Sequence, residues 1–129
     1  MIRRQLINFQ NRSVDVRVGL GAFDELSRMF ASAVGKPKRA MVVWNSASSE
    51  RFDEVVEHAL VDAGFAVSQF SLEVSPAGAT LADADAIFGA LSANGITCDD
   101  LVVAVGDAAT CSVVSWCANQ WCGRTECAL

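Results

Sequence analysis

Hydrophobic and polar positions along this chain change their period several times, and each change marks an element. Val14, Val16 and Val18 alternate with polar residues, the two-residue period of a strand, and residues 6–9 pair with that strand as a hairpin across Gln10-Asn11-Arg12. After Gly21 the spacing lengthens, and Phe23, Leu26, Met29 and Phe30 share one face of a helix. Residues 39–44, apolar after Arg39, are read as a buried strand. Ser49 then caps a helix in which Phe52, Val55, Val56, Ala59, Leu60 and Ala63 recur at helical spacing, with Gly64 ending it. Residues 65–72 are the next strand. Thr80 and Asp83 open a helix carrying Leu81, Ala84, Phe88 and Leu91, which Asn94-Gly95 stops. Residues 101–105 are a second unbroken apolar strand, after which Gly106 leads into a last helix reaching about Cys122, and residues 126–129 begin a short apolar strand.

Strands alternating with helices of this length make βαβ units and a parallel sheet. The fold class expected is therefore α/β: a Rossmann-like, mostly parallel sheet flanked by helices, with an N-terminal β-hairpin. A chain of 129 residues fits one domain with one core, residues 1–129.

Composition narrows the function classes. The hydrophobic share of 52% suits parallel strands buried on both faces, or a surface that a partner covers. No apolar run reaches the roughly 18 residues of a membrane span, and the start, Met1-Ile-Arg-Arg-Gln, lacks the apolar stretch of a signal peptide. A cytoplasmic protein with no membrane association is expected. The net charge of −5 has no basic cluster to offset it, so nucleic acid is not an expected partner.

Five cysteines, Cys98, Cys111, Cys117, Cys122 and Cys127, include no Cys-x-x-Cys pair and accompany a single histidine, His58. Four ligands would not converge from that spacing, so no zinc site is expected and the thiols read as small buried hydrophobes. His58 falls off the apolar stripe of its helix and reads as a solvated side chain rather than a base. Ser112 and Ser115 have no histidine within reach, which argues against a hydrolase triad.

Chemistry in a parallel sheet belongs at the carboxyl ends of the strands, where backbone amides at a following helix can hold a phosphate. Three such ends stand out: Trp44-Asn45-Ser46, Pro76-Ala77-Gly78 and Gly106-Asp107-Ala108. Trp44 either fills a pocket beside the first of them or packs on the neighbouring helix.

At these residues the sequence resembles the 3-dehydroquinate synthase family and its sugar-phosphate cyclase relatives. Val16-Arg-Val-Gly-Leu-Gly-Ala-Phe-Asp-Glu-Leu26 is similar to that family's opening strand, paired glycines and first helix; Ala40-Met-Val-Val-Trp-Asn45 is similar to its second nucleotide-fold strand. Asp99-Asp-Leu-Val-Val-Ala-Val-Gly106 resembles the strand before its glycine-rich turn, and Ala118-Asn-Gln-Trp-Cys-Gly-Arg124 the close of the following helix. The resemblance runs in register from about residue 14 onward. It implies the NAD-binding domain of a lyase of the shikimate pathway of aromatic amino acid biosynthesis. In that family a second, helical domain holds a divalent metal and most substrate contacts, and residues 1–129 contain no counterpart of it.

The departures from the family pattern fall on the cofactor contacts. Asn45 stands where the family has an aspartate for the adenosine ribose. Gly78 and Leu81 stand at the acid and lysine positions of a proline-glycine-glutamate loop and its following lysine. Of three consecutive family glycines only Gly106 remains, followed by Asp107 and Ala108, and a downstream aspartate aligns with Ser112. A carboxylate at Asp107, about 4 Å from a pyrophosphate, would weaken binding by about a thousandfold at an effective dielectric of 20. The same residue reads more simply as a helix cap. No cofactor is therefore expected for this chain, although the family uses NAD and a divalent metal, and no catalytic or metal-binding residue is assigned.

Two classes of function remain: a domain of a dehydroquinate synthase-like enzyme, inactive alone, or a non-catalytic association module that keeps the fold. A domain of an iron-containing alcohol dehydrogenase-like protein is a third. Trp116, Cys117, Trp121 and Cys122 on the last helix, with the strand at residues 126–129, are expected to form a surface covered either by a second copy in a homodimer or by the missing C-terminal domain.

Overall fold

A computed structural model describes residues 1–10, 12–33, 39–47 and 52–129. The hairpin is present as β1 (Arg3–Phe9) and β2 (Arg12–Val18), antiparallel, with Ile7 opposite Val14 and Leu6 opposite Asp15. A 3₁₀ turn (Ala22–Glu25) leads into α1 (Leu26–Ala33). Then follow β3 (Arg39–Asn45), α2 (Phe52–Asp62), β4 (Ala66–Leu72), α3 (Leu81–Ala93), β5 (Leu101–Val105), α4 (Ala108–Gln120), a second 3₁₀ turn (Trp121–Gly123) and β6 (Glu126–Ala128). The main sheet is parallel, in the order β4-β3-β5-β6. The architecture is thus the Rossmann-like α/β class with a separate N-terminal hairpin.

Side-chain alternation along the central strands divides the core in two. Met41 and Val43 with Val102 and Ala104 face α3 and α4; Ala40 and Val42 with Leu101 and Val103 face α1 and α2. All eight are essentially inaccessible, which is why the middle of β3 and the whole of β5 are apolar on both faces. The chain passes from β3 out to β4, then back across to β5, so α2 and α4 leave adjacent strands on opposite faces. That reversal opens a crevice at the carboxyl ends of β3 and β5.

Local signals account for most boundaries. Thr80 and Asp83 form a reciprocal capping box: Asp83 N–H donates to Thr80 Oγ1 at 3.4 Å and Thr80 N–H to Asp83 Oδ2 at 2.8 Å. Gly64 and Gly95 end α2 and α3 with left-handed φ values of 96° and 64°. The caps assigned to Ser49 and the turn residue Asn11 lie outside the described residues.

Several expected core positions are exposed. Phe52 and Val55 are 40% and 46% accessible and Leu81 is 81% accessible. The buried face of α2 runs instead through Asp53, Val56, Ala59 and Leu60. Leu81 is the first residue of α3, before the helix meets the sheet, and Ile87 fills the core in its place. The last helix is also shorter than its composition implies. It ends at Gln120, so Cys122 leaves the helix with a left-handed φ of 49° and is exposed, as is Cys98 in the loop before β5. Cys117 is buried and Cys111 and Cys127 are half-buried; the reading of all five as core residues therefore fails where the chain turns outside the core.

Trp121 is likewise turned inward. Its Nε1–H donates to Ile96 O at 2.7 Å, and its ring stacks on Phe88 at 5.9 Å. Trp116 remains 49% accessible, its ring tilted against Phe88 at 6.1 Å. Of the four residues expected on the association surface, Trp116 and Cys122 are outside, Cys117 is inside, and Trp121 is committed to this chain's own core.

Candidate functional site at the strand-order reversal

A cleft of about 380 Å³ lies in the crevice, lined by Trp44, Asn45 and Ala47 after β3, Phe52 and Asp53 at the start of α2, Val74 and Pro76 after β4, and Val105, Gly106 and Asp107 after β5. Its size falls at the lower end of the range for small-molecule sites. Phe52, at the edge, stacks on Phe23 of the first 3₁₀ turn with ring centroids 5.2 Å apart.

Asn45 ties the three strand ends together. It is 6% accessible, and its Nδ2 donates to Val74 O at 3.1 Å and to Thr110 Oγ1 at 3.3 Å, while its Oδ1 accepts from Ala47 N–H at 3.0 Å. Both N–H donors of the side chain are thus spent within the chain. An aspartate could not make the two donations, so asparagine here serves the fold.

Thr110 and Asp107 complete the network. Thr110 is fully buried on the first turn of α4; its Oγ1 donates to Asp107 Oδ1 at 2.9 Å, and its backbone N–H donates to the same oxygen at 3.0 Å. Asp107 is the N-cap of α4. These two bonds, the backbone one foremost, hold its carboxyl below the ordinary aspartate range, and the amides of Asp107 and Ala109 act in the same direction. The carboxylate therefore takes the Thr110 amide and sits over the N-terminus of α4, where a bound phosphate would otherwise lie.

Gly106 allows this arrangement sterically. A Cβ there would lie 2.9 Å from Thr110 Cβ and 3.0 Å from its Oγ1, so glycine at this position is required by the buried threonine whether or not a ligand approaches.

Of the seven positions the resemblance assigns to cofactor contacts, only Asn45, Gly106 and Asp107 line the cleft. Gly78 and Leu81 are exposed elsewhere, with nothing within 4 Å of the Cβ position of Gly78. Ala108 and Ser112 are exposed on α4. The charge argument also weakens: Asp107 is solvent-exposed, so water screens its repulsion of an anion to well under the thousandfold of a partly buried pair. The Asp107 carboxylate seated on the Thr110 amide, rather than long-range repulsion, is the stronger obstacle to an anion at this helix N-terminus.

Sequence reading missed three contributors. Asp53 is 1% accessible at the start of α2; its spacing of three and seven residues before Val56 and Leu60 placed it on the buried stripe. Thr110 had only its distance of three residues from Asp107 to mark it. Val74 acts through its backbone carbonyl, which no side-chain pattern reveals.

Other candidates do not assemble into chemistry. Among the described residues no three His, Cys, Asp or Glu side chains come together in a way that could hold a metal ion. His58 is exposed on α2, 3.8 Å from Asp62 one turn on. Burial pushes the Cys117 thiol up to about 11 and the Cys127 thiol to about 12, leaving both un-ionised near neutrality. No helix among the described residues is long and apolar enough to cross a membrane.

No family profile matches the sequence, and no characterised protein matches it significantly. Among solved structures the fold matches that of 2-deoxy-scyllo-inosose synthase with a TM-score of 0.73 and 18% identity, over 96% of this chain and 34% of that one. The chain thus spans about a third of the length of that structure, and a likeness at this identity shows the fold alone.

Proposed function

We propose that this chain is the nucleotide-fold domain of a protein of the dehydroquinate synthase type, with its phosphate seat filled from within and no lyase activity in residues 1–129 alone. The sequence resemblance and the fold shared with 2-deoxy-scyllo-inosose synthase, a sugar-phosphate cyclase fold, support the kinship. The observation that carries the functional part is the carboxylate of Asp107, which accepts both Thr110 donors at the N-terminus of α4. With the Asn45 side chain held by Val74, Thr110 and Ala47 and no carboxylate at that position, the charged ribose and open pyrophosphate contacts of the family's pattern are both changed. In this reading the family's metal-dependent chemistry, which serves aromatic amino acid biosynthesis, needs residues beyond those of this chain. Calorimetry with NAD tests it: binding weaker than millimolar is expected, together with no dehydroquinate synthase turnover. Micromolar NAD affinity, or one tightly held zinc per chain, would contradict the proposal.

A second reading, an association module, is favoured by the hairpin. Its strand register places Ile7, Phe9, Val14, Val16 and Val18 on one face, with Arg3 and Gln5 at the end away from the turn, and Arg4, Leu6, Asp15 and Arg17 on the other, and Arg17 pairs with Glu25 of the first 3₁₀ turn. Ile7, Phe9, Val14 and Val18 remain 38–63% accessible. Together with Trp116 this favours a homodimer, which sedimentation at micromolar concentration would detect; a clean monomer would remove this reading.

A further inference from the structure

We infer that the cleft between β3 and β5 takes a small organic cation with an apolar or aromatic body, a protonated amine, in place of a nucleotide. This rests on the reading above that the phosphate seat is filled from within. The walls are apolar and partly aromatic: Trp44, Phe52, Val74, Pro76 and Val105. The only ionisable groups among its described lining residues are two carboxyl groups, Asp53 and Asp107. Asp107 spends Oδ1 on Thr110 and is exposed, which leaves Oδ2 to meet an ammonium group. Hydrogen bonds from the Thr110 amide and hydroxyl favour the ionised form of that carboxylate. Aromatic faces attract a cation and repel an anion, so Trp44 and Phe52 favour the same sign of charge as Asp107. A bare metal ion is a poorer match. The amide oxygen of Asn45 is already bonded to Ala47 N–H, and among the described residues no third acidic, thiol or imidazole group joins the two aspartates.

Three probes of similar shape test the sign of charge on the whole chain: 2-phenylethylamine, 2-phenylethanol and 3-phenylpropanoate, titrated by NMR with the Trp44 indole N–H as reporter. The amine is expected to bind about tenfold more tightly than the alcohol, the difference made by one screened charge contact, and the carboxylate not at all. Asp107→Asn keeps the oxygen that caps α4, as its melting curve would verify, and should reduce the amine to the affinity of the alcohol while leaving the alcohol unchanged. An amine no tighter than the alcohol, a preference that survives Asp107→Asn, or no binding of any probe would overturn the inference. NAD titrated in parallel separates the two claims: tight NAD binding refutes the filled seat, whereas absence of both NAD and amine binding refutes only the cation site.

Discussion

Replacing Thr110 with valine removes one oxygen from the centre of the network and almost nothing else. The side chain is fully buried, and its Oγ1 accepts from Asn45 Nδ2 at 3.3 Å and donates to Asp107 Oδ1 at 2.9 Å. Valine fills the same space, so no cavity forms, but one N–H of the buried Asn45 amide loses its acceptor while the other keeps Val74 O. An orphaned buried donor costs about 1–3 kcal/mol, or a fall of about 3–5 °C in melting temperature per kcal/mol for a domain of this size. Thr110→Ser retains the hydroxyl and loses a buried methyl, at a cost of about 1 kcal/mol from packing alone. The two substitutions thus separate hydrogen bonding from packing. A double-mutant cycle with Asn45→Ala isolates the pair: Thr110→Val should cost at least about 1 kcal/mol less in the Asn45→Ala background, because the donor it would orphan is already gone. Urea denaturation of the four proteins of the cycle supplies the numbers. If Thr110→Val is as stable as the parent, or if its cost is the same in both backgrounds, the network does not hold the strand ends together and the site geometry argued above is wrong.

Further expectations follow from the same region and from the thiols. Gly106→Ala would bring a Cβ to 2.9 Å from the Cβ of buried Thr110 and should destabilise the fold by about 1–3 kcal/mol through overpacking; unchanged urea stability would mean that the loop shifts freely. In alkylation at pH 8 read by mass spectrometry, exposed Cys98 and Cys122 should react first, with buried Cys117 protected until the chain unfolds; equal rates would contradict the burial. Cys117 and Cys127 have folded pKa values raised to about 11 and about 12 from 9.0. Their contribution is therefore fully present below pH 9 and is lost as pH rises through 11 to 12, because the unfolded thiols ionise first. Urea midpoints should fall across that window, and substituting both cysteines with alanine should flatten the fall; a parent midpoint that stays level would refute the shifts.

The fold was legible because its strongest signals are local and periodic. Residues 40–44 and 101–105 are apolar on both faces, as strands covered by helices on either side must be, and Thr80 with Asp83 wrote a helix start into four residues. Exposure at Phe52, Val55 and Leu81 was not legible, since helical periodicity defines a stripe but not how far along the helix the sheet reaches to cover it. At the site, Asn45, Gly106 and Asp107 could be singled out from their places at strand ends. Their roles could not, because each is set by a partner distant in sequence: Thr110 lies 65 residues from Asn45, and Val74 contributes only its backbone. Gly78 and Leu81 marked a loop whose path the sequence does not specify, and the structure carries both away from the cleft.

Asp107 holds the place at the N-terminus of α4 that a phosphate would take. Calorimetry of ADP against the parent chain and against Asp107→Gly with Ala108→Gly, both first shown by circular dichroism to be folded, tests this directly. No measurable heat is expected from the parent, and an affinity at least about tenfold higher in the double variant, as the uncovered N-terminus of α4 accepts the phosphate. Micromolar binding by the parent, or no gain in the double variant, would contradict that placement.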